Sequence, residues 1–147
     1  IKYEGTVFQV NEGAVLTING DGTINGADGI DSKTVIATGD VIINGGTFTC
    51  GVDADDYTNS VIYSDGGQVT INGGYFAAKK PYTNGWYYVL NIQNNVKDNT
   101  KFIVYGGDFE NYNPSTGDDN LKGNFVADGY ESLKISNDPT VYRVVKQ

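Results

Sequence analysis

Apolar and polar residues alternate with period two in four short phrases, whose apolar members are Leu16/Ile18, Val41/Ile43, Val69/Ile71 and Phe102/Val104. This is the period of a strand with one buried face. Two phrases are near copies: Val41-Ile42-Ile43-Asn44-Gly45-Gly46-Thr47-Phe48 and Val69-Thr70-Ile71-Asn72-Gly73-Gly74-Tyr75-Phe76. A third is Phe102-Ile103-Val104-Tyr105-Gly106-Gly107-Asp108-Phe109, and a weaker one starts at Leu16. The Gly pair permits a sharp bend, because positive φ costs glycine nothing sterically. One apolar residue follows each bend in register: Ile24, Phe48, Phe76 and Phe109.

The anchors Asn19, Asn44, Asn72 and Tyr105 lie 25, 28 and 33 residues apart. A second apolar patch, Val35-Ile36, Val61-Ile62, Val89-Leu90 and Phe125-Val126, keeps step with them, at spacings of 26 and 28 for its first two intervals. Two markers moving together indicate stacked coils of a repeat architecture. In such a stack Asn19, Asn44 and Asn72 would form a side-chain ladder that Tyr105 ends. Strands are expected over residues 1–10, 15–18, 33–37, 61–63 and 89–92 and in the phrases. Residues 132–136 and 141–145, joined by a turn at 137–140, depart from the repeat and read as a capping strand pair that protects an open sheet edge. No segment holds a helical period beyond one turn.

Composition narrows the functional classes. The net charge is −8, and all of it lies before Ala77, where ten acids face only Lys2 and Lys33. An acidic chain without a basic stripe does not suit nucleic acid. No run of apolar residues reaches the ~18 that span a bilayer as a helix, so a membrane is not expected as a partner. Ile1 stands where an open reading frame would have Met, inside an expected strand, which reads as a fragment of a longer chain. Cys50 shares the face of Phe48 and reads as a small buried filler. With no histidine in the chain, it has no imidazole base.

The Asn-Gly-Gly-Xaa-Phe phrases, with Asn113-Pro114-Ser115 and Asn124-Phe125-Val126-Ala127-Asp128-Gly129-Tyr130, carry a resemblance over essentially the whole chain. The chain resembles the Gly-Gly-Thr-Phe repeat proteins of gut bacteria and their phages, within the pectate-lyase-like superfold. The resemblance implies an all-β protein, a single right-handed parallel β-helix. Coils would occupy residues 1–130 and the cap residues 131–147. For the phage members it also implies trimers that stand on the virion as fibres or spikes. The superfold hosts lyases, hydrolases, adhesins and spikes alike, so the fold does not fix the activity.

The residue types present narrow the chemistry further. A lyase of this superfold needs an arginine or lysine base beside acid-bound Ca²⁺, yet the one arginine, Arg143, lies in the expected cap. The polygalacturonase pattern needs a histidine. Asp53, Asp55, Asp56 and Asp65 remain as candidate acid and base of an inverting glycosidase, which needs two carboxyls ~6.5–9.5 Å apart. Asp53 and Asp55, or Asp118 and Asp119, offer oxygen ligands for Ca²⁺, without the spacing of an EF-hand; no other cofactor is expected. Lys79, Lys80, Tyr82, Asn84, Trp86 and Tyr87 gather flat aromatic faces beside hydrogen-bonding groups, a surface for a host glycan or a protein partner. Alternate members of that run would instead point into the core. Thr17, Ile42, Thr70 and Ile103 fall between the inward pairs and form a modest apolar stripe on the outer face, suited to a symmetric homo-oligomer, with a trimer favoured.

The sequence therefore points to a non-catalytic projection on a virion or bacterial cell surface, with glycan contact as a secondary role. A polysaccharide-acting enzyme and a monomeric adhesin domain are the alternatives.

Overall fold

The chain passes through three sheets in a fixed order, four times over. The computed structural model describes residues 5–28, 31–51, 59–78, 87–96, 98–116 and 123–147. The first circuit comprises β1 (Phe8–Val10), β2 (Val15–Ile18) and β3 (Thr23–Asn25). The second comprises β4 (Lys33–Ala37), β5 (Asp40–Ile43) and β6 (Thr47–Cys50). The third is β7 (Asn59–Ser64), β8 (Val69–Ile71) and β9 (Tyr75–Ala78); the fourth is β10 (Tyr87–Ile92), β11 (Phe102–Val104) and β12 (Gly107–Glu110). The sheets run β1-β4-β7-β10, β2-β5-β8-β11 and β3-β6-β9-β12, and every pairing between circuits is parallel. The protein is thus all-β. Each residue after a Gly-Gly bend that the sequence marked singly belongs to a complete third strand.

The expected interior file holds. Leu16, Val41, Val69 and Phe102 are successive Cα partners, as are Ile18, Ile43, Ile71 and Val104. Ile24 pairs with Phe48, Phe48 with Phe76 and Phe76 with Phe109. The Phe48 and Phe76 rings lie 5.2 Å apart at 9°, and those of Phe76 and Phe109 5.0 Å apart at 12°. Such offset stacks contribute about 0.5–1.5 kcal/mol each beyond burial. Cys50 is fully buried in the same core.

The two glycines of each phrase have separate tasks. Gly46 and Gly74 sit at φ of 102° and 116°, where an L side chain is strained. Gly45 and Gly106 instead lie against the preceding circuit: a Cβ on Gly45 would stand 2.5 Å from the Gly20 carbonyl oxygen, and one on Gly106 2.4 Å from that of Asn72. The bend and the close stacking are therefore both glycine-dependent.

Several expectations change. The first described strand begins at Phe8 rather than near the start of the chain, because Gly5 at φ 73° turns the backbone before it. In the first sheet Val35 pairs with Ile62 and Ile62 with Leu90, so Val61 and Val89 are one residue out of the assumed file. β4 and β7 are buried along their whole length, and without alternation the period does not mark the register. Phe125-Val126 does not extend that sheet. Val126 bridges Val104 in parallel, and the Phe125 ring packs on Phe102 in the sheet of the phrases.

The capping pair is longer than expected. β13 (Tyr130–Asn137) and β14 (Thr140–Lys146) form an antiparallel hairpin, and β14 pairs antiparallel with β12. It closes the third sheet and lays Val144 into the core.

The substitution Gly45→Ala is expected to cost about 1–3 kcal/mol by overpacking, and Phe76→Ala about 3–5 kcal/mol by opening the aromatic file. Gly22→Ala, which meets nothing within 4 Å, should stay within about 0.5 kcal/mol of the parent. Urea unfolding of the three variants measures the order.

Candidate functional site

Three surfaces come into question, and the outer face of the second sheet is the one the sequence anticipated. Thr17 pairs with Ile42, Ile42 with Thr70 and Thr70 with Ile103, one residue per circuit. The file is half-buried except at Thr17, which is exposed. Beside it runs the asparagine ladder: Asn44 Nδ2 donates to Asn19 Oδ1 at 2.7 Å and Asn72 Nδ2 to Asn44 Oδ1 at 2.7 Å. Each amide satisfies its neighbour, so the face is flat and locally rigid. On the other flank Asp40 accepts from the Gln68 amide at 3.1 Å.

The second surface is where the cap joins the third sheet. Asp108 and Arg143 are direct partners across β12 and β14, and the guanidinium grips both carboxylate oxygens, Nε to Oδ1 and Nη2 to Oδ2, each at 2.7 Å. The carboxylate holds the Arg143 proton still more firmly than usual. Next to this pair the Tyr75 hydroxyl donates to Glu110 Oε2. Desolvation first, then the hydrogen bond and negative charge of Glu110, push the Tyr75 phenol from 10.0 up to about 12. A phenol held neutral beside a carboxylate is a poor nucleophile. The arrangement works as a latch between cap and circuits.

The third surface was not visible in the sequence. Asn111, Asn113, Thr116, Thr140 and Tyr142 line an open polar cleft of about 350 Å³ at the cap end of the column. Asn111 stands at φ 52° just after β12, with its amide donating to the Thr140 carbonyl at 2.7 Å. Asn113 Oδ1 accepts from the Ser115 amide at 3.1 Å and hydroxyl at 2.8 Å, a side-chain turn that fixes its orientation. Tyr142 is the partner of Phe109 across the β12–β14 pair and is half-buried. The turn-forming Asn113-Pro114-Ser115 was the available signal; the left-handed backbone of Asn111 and the antiparallel docking of β14 were not.

Inside the first sheet, Lys33 is 1% exposed. Its ammonium binds the Asp31 carboxylate, donates to the Asp31 carbonyl at 3.0 Å and lies 5.4 Å from the Tyr63 ring centre. A buried ammonium requires such partners. Ser32 and Asn59 next to it are also buried, with the Ser32 amide donating to Asn59 Oδ1 at 2.7 Å and Asn59 Nδ2 to the Gly51 carbonyl at 2.9 Å.

Asp65 lies in the turn from β7 to β8, half-buried, its amide donating to the Ala37 carbonyl at 2.8 Å. Asp53, Asp55, Asp56, Asp118 and Asp119, with Lys79, Lys80, Tyr82, Asn84 and Trp86, lie outside the described residues. Tyr87 opens β10, with its backbone paired to Asn59. Among the described residues, no three Asp, Glu or Cys side chains gather to hold a metal ion. No protein-family model, curated protein or solved structure matches the chain.

The raised Tyr75 pKa has a defined sign. The folded protein favours the neutral phenol, so this contribution is complete below pH 10 and is lost as pH rises from there through about 12. Unfolding free energy is expected to fall across that window, and to fall less in Tyr75→Phe. Denaturant titrations at pH 9, 10.5 and 11.5 check it.

Proposed function

We propose that the chain is a non-catalytic projection module: a single right-handed parallel β-helix with a C-terminal cap, standing on a virion or a bacterial cell surface. The carrying observation is that all three sheets keep parallel register through four circuits around one core, and that the third ends on an antiparallel hairpin. Parallel crossovers within a sheet are right-handed in about 98% of cases, which supports the stated hand. A solenoid bonded along its axis by three sheets at once resists bending, and its paired strands resist proteases. The likeness of the Asn-Gly-Gly-Xaa-Phe phrases to the Gly-Gly-Thr-Phe repeat proteins supports the setting.

The module assembles through the file Thr17, Ile42, Thr70 and Ile103, with three copies around a common axis. A closed ring buries one such file per subunit, and the ladder beside it keeps the contact flat. Contact with host glycans is the secondary role.

Light scattering is expected to give three times the chain mass. The pair Ile42→Glu and Ile103→Glu should return the monomer without loss of the β-sheet circular dichroism. A monomeric parent unaffected by the two substitutions would overturn the oligomeric part, and cleavage within the paired strands by dilute protease under native conditions the stiff projection itself.

A further inference from the structure

The cleft at the cap end has the chemistry of a saccharide site, and its lining selects the kind of saccharide. Two carboxamides, two hydroxyls and one phenol surround about 350 Å³. Among the described residues, no lysine or arginine lines it, so a phosphate, sulfate or uronate would find no counter-charge there, in a chain whose net charge is already −8. No described carboxylate lines it either, and Glu110, next to Asn111 in sequence, is engaged by the Tyr75 hydroxyl, so a cation has no anchor among the described residues. The polar lining also lacks the apolar area that a lipid or a hydrophobic peptide would bury.

The groups that remain available suit a neutral sugar ring. Asn113 is oriented by Ser115 through its oxygen, which leaves Nδ2 to donate outward. The Asn111 carboxamide and the Tyr142 hydroxyl form no hydrogen bond with the described residues, and each is held by a paired backbone: Asn111 by its bond to Thr140, Tyr142 by its place in β14 opposite Phe109. An amide that both donates and accepts, beside a fixed donor, matches the adjacent hydroxyls of a pyranose. A tyrosine adds an apolar ring face with a polar edge. Preorganised donors matter because an ordered side chain loses less entropy on binding.

We propose that Asn111, Asn113, Thr116, Thr140 and Tyr142 form a binding site for a neutral, hydroxyl-rich saccharide at the cap end of the column. It deepens the glycan role given above and rests on that reading for its biological setting, while the binding chemistry stands on the cleft alone.

The test is titration of the isotope-labelled full chain with uncharged tri- to pentasaccharides of glucose, galactose, mannose and N-acetylglucosamine, followed by amide shifts in NMR. Oligogalacturonate serves as the anionic comparison. At least one neutral probe is expected to shift the amides of Asn111, Asn113 and Thr140. Asn111→Gly keeps the left-handed backbone and removes the carboxamide, and Tyr142→Phe keeps the ring and removes the hydroxyl. Each should weaken binding about three- to tenfold, the value of one hydrogen bond, with an unchanged thermal midpoint. Asn111→Asp, which also tolerates the backbone, serves if the glycine variant unfolds, and Val15→Ser at the opposite end should leave affinity unchanged.

The proposal is overturned if no neutral probe binds, if only oligogalacturonate binds, or if binding survives the substitutions at both Asn111 and Tyr142. The particle mass and the protease test judge the projection reading separately, so either can fail without the other.

Discussion

Parallel pairing between successive circuits holds each residue roughly 4.8 Å from its counterpart, and the structure consists of what can be stacked on itself at that distance. Aliphatic side chains can, and Val41, Val69 and their partners fill the interior. Phenylalanines can when their rings are offset, as Phe48, Phe76 and Phe109 are. Asparagines can because each amide is donor and acceptor together. Like charges cannot, and no paired position among the described residues sets one charge beside another of the same sign. The one charged pair in register, Asp108 with Arg143, is of opposite sign and stands where the cap begins.

The end of the column follows from the same constraint. A fourth phrase with Tyr105 in place of Asn stops the ladder, and β14 then reverses direction against β12. Reversal converts a repeating edge into a hairpin whose outer strand, β13, is irregular: its register shifts between Lys134 and Ser136. Bulges and charged residues on an edge are the usual means by which sheets avoid further pairing. The cap thereby places polar loops of the fourth circuit next to a strand far along the chain, and the cleft lies at that junction.

What the sequence disclosed depended on which face a strand presents. The phrases are half-exposed strands, so their alternation reveals both strand and register, and the file Leu16, Val41, Val69, Phe102 was readable to the residue. The stripe Thr17, Ile42, Thr70, Ile103 was readable for the same reason. β4 and β7 are covered on both sides, Lys33 included, and a continuous buried run leaves the choice between Val61 and Ile62 open. Phe125 and Val126 are too short a signal to say which sheet they join. The cleft residues were not legible as a group, because Asn111 and Tyr142 meet only through antiparallel docking, which no periodicity records. Nor does the sequence mark Lys33 as buried, where Asp31 two residues earlier supplies the partner.

The intervals between Asn19, Asn44, Asn72 and Tyr105 grow from 25 to 28 to 33 residues, yet the Asn44, Asn72 and Tyr105 amides donate equivalently to Ile18, Ile43 and Ile71, at 2.8–2.9 Å. Chain length between anchors is thus uncoupled from the geometry of the anchors. Connecting segments of different length are compatible with one spacing of the spine, so chain can be added or removed there without shifting the anchors.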